Sequence, residues 1–224
     1  MTLTILDDLE QGTPDWHAAR CGILTASVIG RLITPKTIEV ADNPASRSIT
    51  MQLAAERITE YTEPTYVSSD MEFGHVVEPV VRDLYSETWE PVTECGFMIR
   101  EDHGTQIGYS PDGLVGDNGL LETKSRDQKT HLATIWADSV PPENMAQCQT
   151  GLYVSGRDWI DYVSYCGGMR LWRKRVYPDP RWQAAIIAAG NKFETAVEQI
   201  ISIYYRQTAG MPATKRIVET LELI

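Results

Sequence analysis

The sequence predicts an α/β fold in which helices cover both faces of a mixed sheet. Three observations carry that expectation. Helical periodicity fills the first third of the chain, short β-rich runs between turn residues fill the middle, and a long helical stretch closes it. The 224 residues, 42% hydrophobic and 23% charged, suit one domain with its own core. We therefore read residues 1–224 as a single domain. It comprises a helical third over 12–90, a sheet region over 91–180, and a C-terminal helix over 181–206 followed by a tail.

In chain order, Thr13-Pro14-Asp15 opens a short helix, with a cap, a proline in its first turn and Gly22 at its stop. The hydroxyls of Thr25-Ala-Ser27 cap a second helix containing Val28, Ile29, Leu32 and Ile33. Thr34–Arg47, with two prolines and Asn43, reads as a mobile loop. A third helix covers Ser46–Tyr61. Ser69-Asp70-Met71-Glu72 has the form of a capping box for a fourth helix through Tyr85, with a kink expected at Pro79. Thr93–Arg100, Thr105–Tyr109, Asp112–Gly116 and Leu120–Ser125 read as strands. A helix follows Pro141-Pro142, Trp159–Tyr165 and Leu171–Tyr177 form a strand pair, and Trp182–Tyr205 is the closing helix.

Composition narrows the function. No apolar run approaches the ~20 residues needed to cross a bilayer, and MTLTILDDLE lacks the basic start of a secretory signal. A cytoplasmic protein without a membrane partner is expected. Cys21, Cys95, Cys148 and Cys166 lie far apart, which speaks against a zinc ribbon, a redox dithiol or an iron–sulfur knot. With 20 basic and 31 acidic residues the net charge is −11, which argues against broad nonspecific nucleic-acid binding but allows a local basic groove.

The most informative stretch runs from Ser110-Pro-Asp112-Gly to Leu121-Glu122-Thr-Lys124. On a strand, Glu122 and Lys124 share a face. Whether Asp112 joins them depends on the turn. A two-residue Asn118-Gly119 turn pairs 115 with 122 and sends Asp112 to the other face. A three-residue Asp117-Asn118-Gly119 loop, with Gly119 left-handed, pairs 114 with 122 and 112 with 124, gathering all three. Two carboxylates a few ångströms apart repel each other unless a cation separates them. Hard oxygen ligands select Mg²⁺ or Mn²⁺, and such an ion acidifies bound water. Lys124 is placed to orient that water and to stabilise an anionic transition state, so the set suits phosphodiester hydrolysis.

Five ordered blocks from about Glu10 to Tyr165 resemble the phage lambda exonuclease family, whose members carry a restriction-endonuclease-like core. They are Trp16-His-Ala-Ala-Arg20-Cys-Gly22-Ile-Leu-Thr25-Ala-Ser27, Phe73-Gly74-His-Val-Val-Glu78, Ser110-Pro-Asp112-Gly, Leu121-Glu122-Thr-Lys124 and Met145-Ala-Gln147-Cys-Gln149. Ser125-Arg126 stands where the lambda enzyme itself has a Cys-Pro pair after the lysine. The resemblance implies a three-layer α/β/α nuclease domain. It implies that Asp112 and Glu122 bind Mg²⁺ (Mn²⁺ substituting) beside the Thr123 carbonyl, that Lys124 assists the water, and that Glu78 completes the acidic site. Arg20, Ser27, Ser110 and Gln147 would hold the terminal 5′-phosphate, and Met71 would act as the wedge that splits the end base pair. Read alone, Ser27 is a cap, Arg20 and Gln147 are surface side chains and Met71 is core.

The activity so implied is 5′-to-3′ digestion of linear double-stranded DNA from phosphorylated ends. It would release 5′-mononucleotides and leave a 3′ single-stranded tail for phage-type recombination. The implied partners are DNA ends, two further copies in a homotrimeric ring and a single-strand annealing protein, in the cytoplasm of a bacterial host. Arg126 with Lys129, and Arg170, Arg173, Lys174 and Arg175, are the basic clusters available to a channel. An endonuclease with the same core and a catalytically silent DNA-end-binding module are the alternatives.

Overall fold

The computed structural model describes residues 1–64, 69–102 and 104–216, with side chains left out for 69–72. The first third holds β1 (Thr2–Leu6), α1 (Pro14–Arg20), β2 (Leu24–Thr25), α2 (Ala26–Ile29), the hairpin β3 (Ile33–Thr34) and β4 (Glu39–Val40), α3 (Pro44–Thr59) and α4 (Ser69–Thr88). The middle holds β5 (Val92–Thr93), β6 (Phe97–Asp102), β7 (Thr105–Tyr109), β8 (Gly113–Val115) and β9 (Gly119–Ser125). Then come α5 (Gln128–Ala137), α6 (Pro142–Ser155), β10 (Trp159–Tyr165), β11 (Trp172–Val176) and α7 (Pro180–Gln207). No described helix is long and apolar enough to cross a membrane.

Local chemistry explains most boundaries. The Thr13 side chain accepts from the Trp16 amide, with Pro14 in the first turn of α1. Asn43 and Ser46 close a reciprocal capping box at the start of α3, so that helix begins two residues earlier than the sequence suggested. α2 is shorter than expected. It stops before Gly30, and Ile33, read as helical, pairs with Val40, because β-branched residues fit the hairpin better. Thr34–Arg47 is therefore not plain loop. α4 continues through Pro79 to Thr88, while the capping box at Ser69–Glu72 falls outside the described side chains. The strand expected over Thr93–Arg100 is broken at Cys95-Gly96, where Gly96 lies directly against the backbone of Leu6 and Leu9. β1 and α5 were not read from the sequence.

Nine of these strands form two sheets, ordered β1-β6-β7-β2 and β11-β10-β9-β8-β5. The second is mixed. β9 and β10 run parallel, joined through α5 and α6, and the other neighbours are antiparallel. Both faces of β9 are buried over residues 119–122. Leu121, with Val115 and Val163, packs under Val77, Val81 and Tyr85 of α4. Leu120, with Ile160 and Tyr162, joins the larger core that includes Ala146, Cys148 and Leu152 of α6 and Ile186 and Phe193 of α7. Helix, sheet and helix thus stack in three layers around the strand that carries Glu122 and Lys124.

Candidate active site

The β8–β9 hairpin sets the site. Val115 pairs with Gly119 and Gly113 with Leu121, leaving Gly116, Asp117 and Asn118 as the loop. Neither expected register is adopted. Gly116, at φ +51°, takes the left-handed position foreseen for Gly119. Gly119 is needed for another reason, since a Cβ there would strike the Trp159 ring on β10. The pairing is displaced by two residues from the three-residue-loop alternative, so every side chain keeps its face. Asp112 comes opposite Glu122, and Asp112, Glu122 and Lys124 gather at one place.

The contacts are short. Lys124 Nζ donates to Glu122 Oε1 at 2.5 Å, and the Tyr109 hydroxyl donates to Glu122 Oε2 at 3.2 Å. The backbone amide and hydroxyl of Thr123 donate to Asp112 Oδ2 at 2.5 and 3.0 Å. Thr123 thus anchors Asp112 through its amide and hydroxyl; the carbonyl that the resemblance implies beside the ion is a separate group that these contacts do not involve. Glu122 is fully buried, Asp112 is buried and the Lys124 side chain is 27% exposed. Arg82, one helical turn after Glu78 on α4, donates to the Asp112 carbonyl at 3.1 Å and pairs with Glu94 at 3.4 Å.

The charges of Asp112 and Glu122 both act to raise Glu78, and that of Asp112 acts to raise Glu122. Burial pushes Glu122 up to about 7 despite the Lys124 ammonium, and Asp112 adds to the rise. Burial, then the Asp112 charge, pushes Glu78 up to about 8. Burial works against the charge on Lys124, but Glu122 and Asp112 more than offset it and raise its pKa. Three carboxyl groups short of positive charge, all with hard oxygen donors, fit a divalent cation. Among the described residues no three such side chains are already drawn together as a ready cation cage.

A second cluster adjoins the first. Arg20, the last residue of α1, donates to Ser110 Oγ at 3.2 Å and to Thr25 and Ser27 hydroxyls at 3.4 Å each. The Trp16 indole also donates to Ser110 Oγ at 3.0 Å, and the Arg20 guanidinium sits 4.0 Å above the Trp16 ring. The end of α1 is pinned from α3. The Gly22 amide donates to Glu56 at 2.9 Å, and Arg57 donates to the Gly22 carbonyl at 2.8 Å. Only Pro111 separates Ser110 from Asp112, so the two clusters are at most about 7 Å apart along the backbone.

Not every expected contact forms. α2 has four residues, too few to present a helix N-terminus to an anion, so Ser27 contributes its hydroxyl alone. Gln147 is half-buried on α6 and makes no side-chain hydrogen bond to the Arg20 cluster; its neighbour Gln149 is tied to Tyr177 and Asp179. The Met71 side chain lies outside the described residues. Arg173 and Arg175, offered as channel cations, instead bind the buried Asp161, which also accepts from Tyr85 at 2.6 Å. Lys174 pairs with Asp138, and Arg126 donates to Asn144 and Tyr162. Tyr109 and Arg82 are the site residues that sequence reasoning missed. An aromatic strand end reads as core, and Arg82 acts on the site through a fold contact.

A mixed sheet between helical layers, with paired acids and a lysine on its central hairpin, places the chain among nucleases with a restriction-endonuclease-like core. It belongs to the family of YqaJ-like viral recombinase domains, whose model matches residues 15–158, well over half of the chain. The chain is similar to the alkaline exonuclease LHK-Exo from Laribacter hongkongensis, with 32% identity and a TM-score of 0.79 over 89% of this chain and 100% of that one. The crystal structure of LHK-Exo in complex with dAMP matches with a TM-score of 0.78 at the same identity and coverage. A phage-related exonuclease from Haemophilus somnus 129PT shares the fold, with a TM-score of 0.62 and 15% identity over 81% of this chain and 96% of that one. No curated protein matches in sequence.

Proposed function

We propose that the protein is a Mg²⁺-dependent exonuclease that digests linear double-stranded DNA from 5′-phosphorylated ends. It releases 5′-mononucleotides and leaves a 3′ single-stranded tail. The observation that carries this reading is the convergence of Asp112, Glu122 and Lys124 beside the Arg20–Ser110 cluster. The kinship with LHK-Exo, an exonuclease crystallised with a deoxynucleoside monophosphate, supports it.

Asp112 and Glu122 would hold the ion, with Glu78 supplying a further oxygen. When bound, the ion lowers the pKa of water and screens charge on the scissile phosphate. Lys124 donates hydrogen bonds from its ammonium to the attacking water and to the developing phosphoryl oxygens. The Arg20 guanidinium grips the terminal phosphate, with the Ser27 and Ser110 hydroxyls adding donors. Gln147 would approach that phosphate from α6. Met71 is proposed as the wedge at the end base pair.

Assembly as a homotrimeric ring and hand-over of the 3′ tail to a single-strand annealing protein complete the reading. Light scattering that returns three chain masses supports the ring, and one chain mass rejects it. The activity is tested with plasmid DNA in Mg²⁺, closed and linearised. The reading requires loss of the linear 5′-phosphorylated form and survival of the closed circle. Cutting of the closed circle identifies an endonuclease instead.

A further inference from the structure

We propose that Tyr109 is a positioning residue for the metal site: its hydroxyl holds Glu122 in the orientation in which the carboxylate meets the cation. This inference rests on the metal-nuclease reading above and deepens it.

Each oxygen of Glu122 is engaged from a different strand. Lys124, on the same strand β9, takes Oε1 at 2.5 Å, and Tyr109, the last residue of β7 in the other sheet, reaches Oε2 at 3.2 Å. The terminal torsion of a carboxylate is broad and soft, so a buried acid held at one oxygen alone remains free to turn. Two donors from two sheets remove that freedom. Each carboxylate oxygen accepts more than one bond, so the tyrosine contact leaves room for a cation.

The ring is itself immobilised. Tyr109 is 1% exposed, its backbone pairs with Met98 on β6, and its ring lies against Gly151 of α6, where a Cβ would come within 2.7 Å of the phenol carbon Cζ. Tyr109 also begins the run Tyr109-Ser110-Pro111-Asp112, so one strand end supplies the Glu122 donor, the partner of Arg20 and the second acid. A buried tyrosine ordinarily finds some acceptor for its hydroxyl. Here the acceptor is the acid at the centre of the site. Loss of such an outer partner costs about 10- to 100-fold in metal affinity or activity.

The test is calorimetric titration of Mn²⁺ into the DNA-free wild-type protein, Tyr109→Phe and Gly151→Ala, with thermal melting of each. Tyr109→Phe keeps the ring and loses the donor. It should bind Mn²⁺ about 10- to 100-fold more weakly, recover cleavage at saturating Mn²⁺, and retain the preference for 5′-phosphate. Gly151→Ala keeps the donor but displaces the ring, so its affinity should fall in the same direction. A folded Tyr109→Phe with wild-type affinity overturns the inference. Should that variant not fold, wild-type affinity in Gly151→Ala overturns it instead. Wild-type protein that takes up no Mn²⁺ overturns the metal-nuclease reading itself, a result distinct from equal affinities in wild type and variant.

Discussion

The ammonium of Lys124 lies 2.5 Å from Oε1 of Glu122, two residues before it on the same strand. Glu122 is wholly buried, whereas 27% of the Lys124 side chain remains exposed. The pair therefore points from the core toward solvent, with Asp112 alongside. A buried acid that burial pushes up to about 7 is a poor structural choice unless the charge is used. A second acid stands beside it, and the Arg20–Ser110 cluster adjoins.

Glu122→Gln should abolish cleavage, a loss of more than about a hundredfold, since a ligand matters more than its outer partners. It should leave the melting temperature at pH 8 unchanged or higher, because the variant removes a buried charge. A digestion time course beside a thermal melt separates the two effects, and retained cleavage rules out the role assigned to Glu122.

Stability should fall as pH rises, and Mg²⁺ should oppose that fall. Burial raises Glu122 and Glu78 from 4.5 to about 7 and about 8, so the folded chain keeps protons that the unfolded chain has lost. Their contribution to stability is complete below pH about 4.5 and is lost as pH rises through 7 and 8. In chelator, melting temperature should fall between about pH 6 and about pH 8.5. Mg²⁺ should stabilise the protein more at the higher pH, where its ligands are ionised. An equal Mg²⁺ effect at both values contradicts the site.

Arg20→Ala should weaken the preference for 5′-phosphorylated over 5′-hydroxyl ends more than it slows the chemical step. The guanidinium faces Ser110, Thr25 and Ser27 rather than the acids. Losing a charge-assisted grip costs about 1.5–3 kcal/mol, roughly ten- to a hundredfold in preference. Rates on the two ends decide the matter, and equal slowing on both removes the anchor role.

Arg175→Ala should lower stability while leaving DNA affinity nearly unchanged. Its guanidinium chelates buried Asp161 at 2.8 and 2.9 Å and lies 3.4 Å from the Trp159 ring centroid. Breaking a buried pair costs about 3–5 kcal/mol, reduced here because Arg173 still reaches Asp161 and Arg175 is partly exposed. A phosphate contact would show instead as a drop of about one in the salt slope of binding.

The parts of this design that local pattern controls were legible in the sequence. Alternation alone put Glu122 and Lys124 on one face, and the three-layer order followed from the succession of periodicities. The loop was not legible, because Gly116 and Gly119 are equally free to adopt positive φ. The choice falls to Trp159, forty residues on, which requires Gly119 to be bare. A register error of two residues preserved every face, so the gathering of Asp112, Glu122 and Lys124 was foreseen through the wrong turn. The fates of Arg173 and Arg175 depend on Asp161, across a strand pairing that no local window contains. Tyr109 entered the sequence reading only as the end of a strand; it is buried in the core, and its hydroxyl alone reaches the site.

The most direct test labels the 5′-phosphorylated strand of a linear duplex at either end and follows digestion in Mg²⁺ by wild-type and Glu122→Gln protein. The account requires the 5′ label to leave first as a mononucleotide, the 3′ label to persist on shortening fragments, and both signals to stay intact with the variant. Earlier release of the 3′ label, or undiminished release with the variant, contradicts it.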